Sequence, residues 1–278
     1  MKKSFLLGSL ATAALLPAAT AAALFGVTTD NKLVSFDTAA PATFLSSVNI
    51  TGLFDADGVS PNTNGSILNL TYHPGQDRFY GLDNNANFYQ ISLGGVATLV
   101  SAGFTPAGFS AGFAYDPFSG RFVYAGDNAE NFSLTTGGTV STNASFTYAG
   151  GGTPSIFALG IDPDFSTAWT LDFLNNSLAV STDPLFPTNS ELNPVGPLGV
   201  DVTSLGGLVV NWDGALYASL STDALSSSLY SINTATGQAT SLGSFGPNVG
   251  LATIAVPEPS AALLGGLGFL ALFRRRRA

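Results

Sequence analysis

The chain has 278 residues, 18 acidic against 9 basic, no cysteine and 32 glycines; 10% of it is charged and 11% aromatic. Disulfide staples and thiolate chemistry are excluded, and many aromatics with few charges describe a chain that folds rather than one that stays disordered. Every acid but Glu258 lies between residues 24 and 256, where only Lys32, Arg78 and Arg121 oppose them, so this surface repels nucleic acid and anionic lipid.

The chain opens MKKSFLLGSLATAALLPAATAAALFG. Lys2 and Lys3 precede an apolar run, Phe5 to Leu16, that is short for a membrane span, and small residues follow it. Residues 1–23 therefore read as a signal peptide for the secretion machinery. Cleavage is expected after Ala23, with Ala21 as the alternative.

Five segments then share one pattern, starting at Ala23, Arg78, Arg121, Ala168 and Ala215. Each runs an apolar strand, a polar turn with Asp or Asn, and a second strand, which is a hairpin signature. A further short strand precedes four of them, at 67–74, 111–117, 157–163 and 207–213. TFLSSVNI, VATLV, TVSTNASFTY and GQATSLGSF supply a fourth strand to all units but the one starting at Ala168, whose counterpart is unclear. Four strands per unit, with starts 43 to 55 residues apart, predict an all-β fold, a β-propeller. The first unit lacks its leading strand, and Val249–Val256 is a spare after the last. Pairing the two ends completes one blade, closes the ring at five blades and removes two sheet edges. The domain is placed at residues 24–255, with an open β-sandwich as the alternative.

This region is similar to a known family. LFGVTTDNKLVSFDTAAPATFLSSVNITGL (24–53) resembles the opening of the bacterial family called domain of unknown function 4394. Pro117, Arg121, Asp127, Asn131 and Leu134 fall on a Pro, Arg, Asp, Asn, Leu run of that family, and VGPLGVDV (195–202) resembles a late segment of it. Val123 and Ser133 stand where the resemblance leads one to expect further arginines. The family name assigns no activity.

The chain closes VPEPSAALLGGLGFLALFRRRRA (256–278). As a straight helix Ser260–Phe273 covers roughly 21 Å of a roughly 30 Å hydrocarbon core, and the positive-inside rule keeps Arg274, Arg275, Arg276 and Arg277 cytoplasmic. Pro257, Glu258 and Pro259, a hydrophobic helix and an arginine cluster, in that order, resemble the PEP-CTERM sorting signal. The resemblance implies export across the inner membrane, transient anchoring by that transmembrane helix, processing by an exosortase-type membrane transpeptidase, and a final place at the cell surface or outside. It also implies a bacterium that makes exopolysaccharide.

Groups for chemistry are few. His73 is the only histidine and sits where other units have Asp116 and Asp162, which reads as a turn residue. Lys32 falls in a hairpin turn. Glu130 and Glu191, the domain's only glutamates, fall in a repeat turn and a Pro-rich loop. Asp55 and Asp57, with Asn62 and Asn64, are candidate calcium ligands without EF-hand spacing; an Asx-rich loop is the competing reading. The 21 phenylalanines lie mostly at strand positions and read as blade core. The expectation is a non-enzymatic surface or matrix protein that binds exopolysaccharide or a surface protein through its long loops, 52–66 and 183–200. The alternative is a carbohydrate hydrolase with a carboxylate pair in the channel.

Overall fold

Short apolar runs separated by Asx and Gly turns become strands throughout. The computed structural model describes residues 23–163, 167–183 and 185–257. The expected signal peptide, up to Ala22, and the tail from Glu258, with its arginine cluster, lie outside the described residues. No helix among the described residues is long and apolar enough to cross a membrane.

The strands in chain order are β1 (Ala23–Thr28), β2 (Lys32–Asp37) and β3 (Phe44–Asn49); then β4 (Ile67–His73), β5 (Arg78–Asp83), β6 (Phe88–Ile91) and β7 (Ala97–Ser101). There follow β8 (Ala111–Asp116), β9 (Arg121–Gly126), β10 (Asn131–Leu134), β11 (Val140–Thr142) and the two-residue β12 (Thr147–Tyr148). Next come β13 (Ile156–Ile161), β14 (Ala168–Asp172), β15 (Ser177–Ser181) and β16 (Glu191–Pro197). The last are β17 (Gly206–Val210), β18 (Leu216–Ser221), β19 (Ser227–Ile232), β20 (Ala239–Ser244) and β21 (Leu251–Ala255). They form five sheets: three run in simple chain order, the fourth blade carries β12 beyond its β16-β15-β14-β13, and the first blade runs β21-β1-β2-β3. The predicted closure is therefore present: Phe25 pairs with Ala255 and Gly26 with Ile254.

The first strands of the blades, β21, β4, β8, β13 and β17, pack on one another in an unbroken cycle. Each is covered on both sides, so β13 is buried at every position but its last, whereas β3 on the rim buries none. Each of five apolar clusters sits between two adjacent blades. Phe36, Leu229 and Ile254 fill the joint between the last blade and the first. Tyr80, Phe88, Phe113 and Phe122 fill that between the second and third. A single blade has no such core, and the ring is therefore the folding unit.

Two sequence expectations change. The missing outer strand of the fourth blade is β16, so Glu191 opens a strand and does not lie in a loop. Its prolines, Pro194 and Pro197, are tolerated because an outer strand need not donate on both sides. TVSTNASFTY is not one strand. It splits into β11 and β12, and β12 crosses to pair in parallel with β16 of the next blade. Thr51 does the same after the first blade, donating to Gly95 and accepting from Ala97, and Leu198 accepts from Ala239. These latches tie successive rims together.

Candidate binding mouth at the ring axis

The second-to-third-strand turns all open on one face of the ring. Each contains one left-handed residue: Asn31, Ala86, Ala129, Asn176 or Ala224, with φ between 48 and 62°. Three of these are alanines, where such a backbone costs about 1–2 kcal/mol. Neighbouring side chains offset it. Asp83 accepts from the amides of Asn85 and Asn87, Asp172 from Asn175, and Asp223 from Leu225 and Ser226. The chain's abundance of Asp is thus largely turn chemistry.

On this face the axis widens into a cavity of about 310 Å³. Its lining comes from all five blades and includes Leu68, Asn69, Asp83, Asn84, Phe109, Ser110, Tyr124, Phe157, Ser204 and Ala252. One rim is the loop from β7 into β8. Glu130 accepts from the amides of Ala107 (2.9 Å) and Gly108 (3.2 Å), and Asp127 from those of Phe109 and Ser110 (both 3.2 Å). Four consecutive amides consume both carboxylates. A side chain at Gly108 would push the clamping carboxylate aside, because a Cβ there would lie 2.2 Å from Asp127 Oδ1. The Ser110 hydroxyl donates across the mouth to the carbonyl of Ser204 at 3.1 Å. Clamped in this way, the loop holds Phe109 97% exposed at the rim. Phe109, like Phe118, departs from the expectation that aromatics are blade core, and the mouth lies on a loop outside the expected 52–66 and 183–200. The available signal was a Phe in a Pro-Ala-Gly-Phe-Ser loop just outside the strand pattern.

Asp83 is buried and accepts from Asn87 Nδ2 and the Tyr89 hydroxyl as well as from its turn. Burial raises its pKa above the usual carboxylate value, and burial, with the Asp83 charge beside it, outweighs the Phe54 amide donated to the Tyr89 oxygen and leaves Tyr89 pushed up to about 12. Burial, then the Glu130 and Asp127 charges, push the Tyr124 phenol up.

The other expected site residues fall elsewhere. Asp57 caps its own loop, accepting from the amides of Val59 and Ser60 and the Ser60 hydroxyl, while Asn62 accepts from Asn64. This is the Asx-turn arrangement, and the described residues hold no group of three or more metal-type ligands at Asp55, Asp57 or elsewhere. Lys32 opens β2 and pairs with Asp30. His73 is not a turn residue but the buried end of β4. Off the axis, Asp116 and Asp183 both line a cavity of about 220 Å³ between the third and fourth blades. Each is already engaged, Asp116 with the amides of Phe118 and Ser119, Asp183 with that of Leu185.

The opposite mouth is narrow, about 60 Å³. The chain leaves the ring there, where Pro257 accepts a hydrogen bond from Trp212 Nε1 at 3.1 Å.

The family model described as Domain of unknown function (DUF4394) matches residues 32–255. The chain belongs to this family. In this DUF4394 member the Pro117, Arg121, Asp127, Asn131, Leu134 run is the β8–β9 turn and the β9–β10 hairpin of one blade. Asp127 is the loop clamp, and Asn131 donates to the carbonyls of Ala144 and Pro187. A second model, the PEP-CTERM protein-sorting motif, matches residues 255–277. That motif marks an exported protein, sorted in association with the membrane and processed by an exosortase-type membrane enzyme. No curated protein matches. Among solved structures, a chain of the nidogen/laminin complex is similar at TM-score 0.52 and 12% identity, over 84% of this chain and 97% of that one. Virginiamycin B lyase from Staphylococcus aureus, as a catalytically inactive variant with quinupristin, gives 0.45 and 16%, over 84% and 73%. A functionally unknown protein from Desulfotomaculum acetoxidans gives 0.47 and 17%, over 82% and 80%. At such identities the first likeness concerns the fold alone.

Proposed function

We propose that this exported protein ends at the cell surface or outside the cell, and that it binds a neutral polysaccharide at the wide mouth without catalysing a reaction. The clamped rim is the observation that carries the reading. Asp127 and Glu130 are occupied in fixing a loop, and what that loop presents is an exposed phenyl ring beside a cavity. An aromatic face suits the C–H face of a sugar ring. Asn69, Asn84, Ser110 and Ser204 supply amide and hydroxyl groups around it. The lining contains no lysine or arginine, so an anionic glycan gains no charge partner there. The cavity is at the lower end of the size range of ligand pockets, about 300–1,000 Å³.

Affinity electrophoresis of the mature protein through gels containing neutral glucans, mannans or galactans tests this. The expected result is retardation by at least one of them, reduced in Phe109→Ala, retained in Phe109→Tyr, and accompanied by no new reducing ends. Absence of retardation in every gel sinks the binding role, and release of reducing ends supports the hydrolase reading instead.

A further inference from the structure

We propose that the tail holds the narrow-mouth face of the ring against the membrane and presents the wide mouth outward, and that the processing cut falls beyond Pro257. The proposal rests on the membrane-associated sorting that the tail motif implies, and adds to it an orientation and a boundary.

The boundary follows from the closing strand. β21 is the innermost strand of its blade, bonded to β1 and packed between β4 and β17. Leu251, Ile254, Ala255 and Val256 are buried. A cut before Val256 would take part of the inner wall away from a ring that has no other strand to replace it. The bond from Trp212 to Pro257 extends the ordered path one residue further. A cut that leaves the ring undisturbed therefore falls after Pro257.

The orientation follows from the length of the leash. Between Pro257 and the apolar run that begins at Ser260 stand only Glu258 and Pro259. Three residue steps reach at most about 11 Å when fully extended. The ring therefore cannot turn over while the tail is in the bilayer. Its membrane-facing parts are the turns from each first strand into its second: Pro74–Gln76 with Asp77, residues 117–120, and residues 211–215. Arg78 and Arg121 stand beside these turns, but so do Asp77, Asp162 and Asp213. Charge attraction is thus not what seats this face; the short tether is.

The absence of cysteine makes the test direct, since a single introduced thiol is a unique label site. Ser119→Cys lies on the narrow-mouth face and Ser204→Cys on the wide-mouth rim, and both positions are exposed. The full chain is placed in phosphatidylcholine vesicles with a headgroup-linked nitroxide, and a fluorophore on each thiol is monitored. The expected result is loss of most emission at position 119 and little at 204. Inserting twenty Gly/Ser residues after Pro257, a coil of about 25 Å, abolishes the difference. Equal quenching at both positions in vesicle-bound, uninserted chain overturns the orientation alone, and failure to associate with vesicles overturns the membrane reading with it. The boundary is read on the unmodified chain: mass spectrometry of the processed protein is expected to find a C-terminus at Pro257 or later, and an earlier one overturns it.

Discussion

His73 stacks on Tyr115, their ring centroids 4.0 Å apart and their planes 25° from parallel, at the narrow-mouth end of the joint between the second and third blades. The imidazole is buried and its Nδ1 has no hydrogen-bond partner. It occupies the strand-end position that Asp116 holds in the next blade, but works there as a flat apolar filler.

Burial lowers the His73 pKa below its usual 6.5. The folded protein then keeps the ring neutral while the unfolded chain takes up a proton as pH falls through 6.5, so stability falls with pH in that window and levels off below the folded value. Urea denaturation at pH 7.5 and pH 5 is expected to show this loss, and His73→Phe, which keeps the stacking, is expected to reduce it. An unchanged slope in the variant would rule out His73 as the source.

The Asp127 clamp predicts a local effect. Asp127→Ala removes two charge-assisted acceptors from a partly exposed loop and is expected to cost about 1–2 kcal/mol. Hydrogen exchange at the amides of residues 107–110 should speed up, with the β8–β9 core unaffected. Uniform loss of protection across the blade would mean that the clamp is part of the global fold.

Glycines let the inner strands approach. A Cβ on Gly112 would lie 2.3 Å from the amide nitrogen of Leu159, and one on Gly207 would lie 2.7 Å from that of Ile254. In both cases backbone, not a movable side-chain tip, is in the way. Gly112→Val is expected to destabilise the ring by about 3 kcal/mol or more, read as a lower urea midpoint. Wild-type stability would mean that the β8–β13 spacing is slack.

The closing strand predicts a sharp boundary. A chain ending at Pro257 should melt like the processed protein. One ending at Gly250 loses buried Leu251 and Ile254, each worth about 1.5–3 kcal/mol, and exposes an edge of β1. That loss is a large share of the roughly 5–15 kcal/mol that holds a domain together. Circular dichroism and size-exclusion chromatography are expected to show an unfolded or self-associating product, the latter by edge pairing. A monomeric, cooperatively folded product would show that the ring does not need its closure.

The blades were legible because each repeats the same local code: an apolar strand, an Asx turn, a second strand. The closing pair was legible because a unit without its first strand and a spare strand after the last unit complete each other. β16 was missed because its Pro-rich ELNPVGP has no alternation to detect, and β12 because a two-residue cross-blade latch has no local signature. The calcium candidates Asp55 and Asp57 were conspicuous in sequence as clustered oxygens, yet Asp57 spends its oxygens on its own turn.

Blade number, ring closure and the sorting tail were all contained in the order of residues, since each depends on near neighbours or on a repeat. The wide mouth was not. Phe109 is one of 21 phenylalanines, and its Pro-Ala-Gly-Phe-Ser loop marks it only as lying outside a strand, not as exposed. Its exposure is decided by Asp127 and Glu130, which lie 17 to 23 residues further on and reach its loop only once the blade has folded, and by Ser204, brought across the axis when the ring closes. Tertiary structure also decided that the exit of the chain at Pro257 and the wide mouth lie at opposite ends of one axis, because the direction of β21 has meaning only after all five inner strands stand side by side.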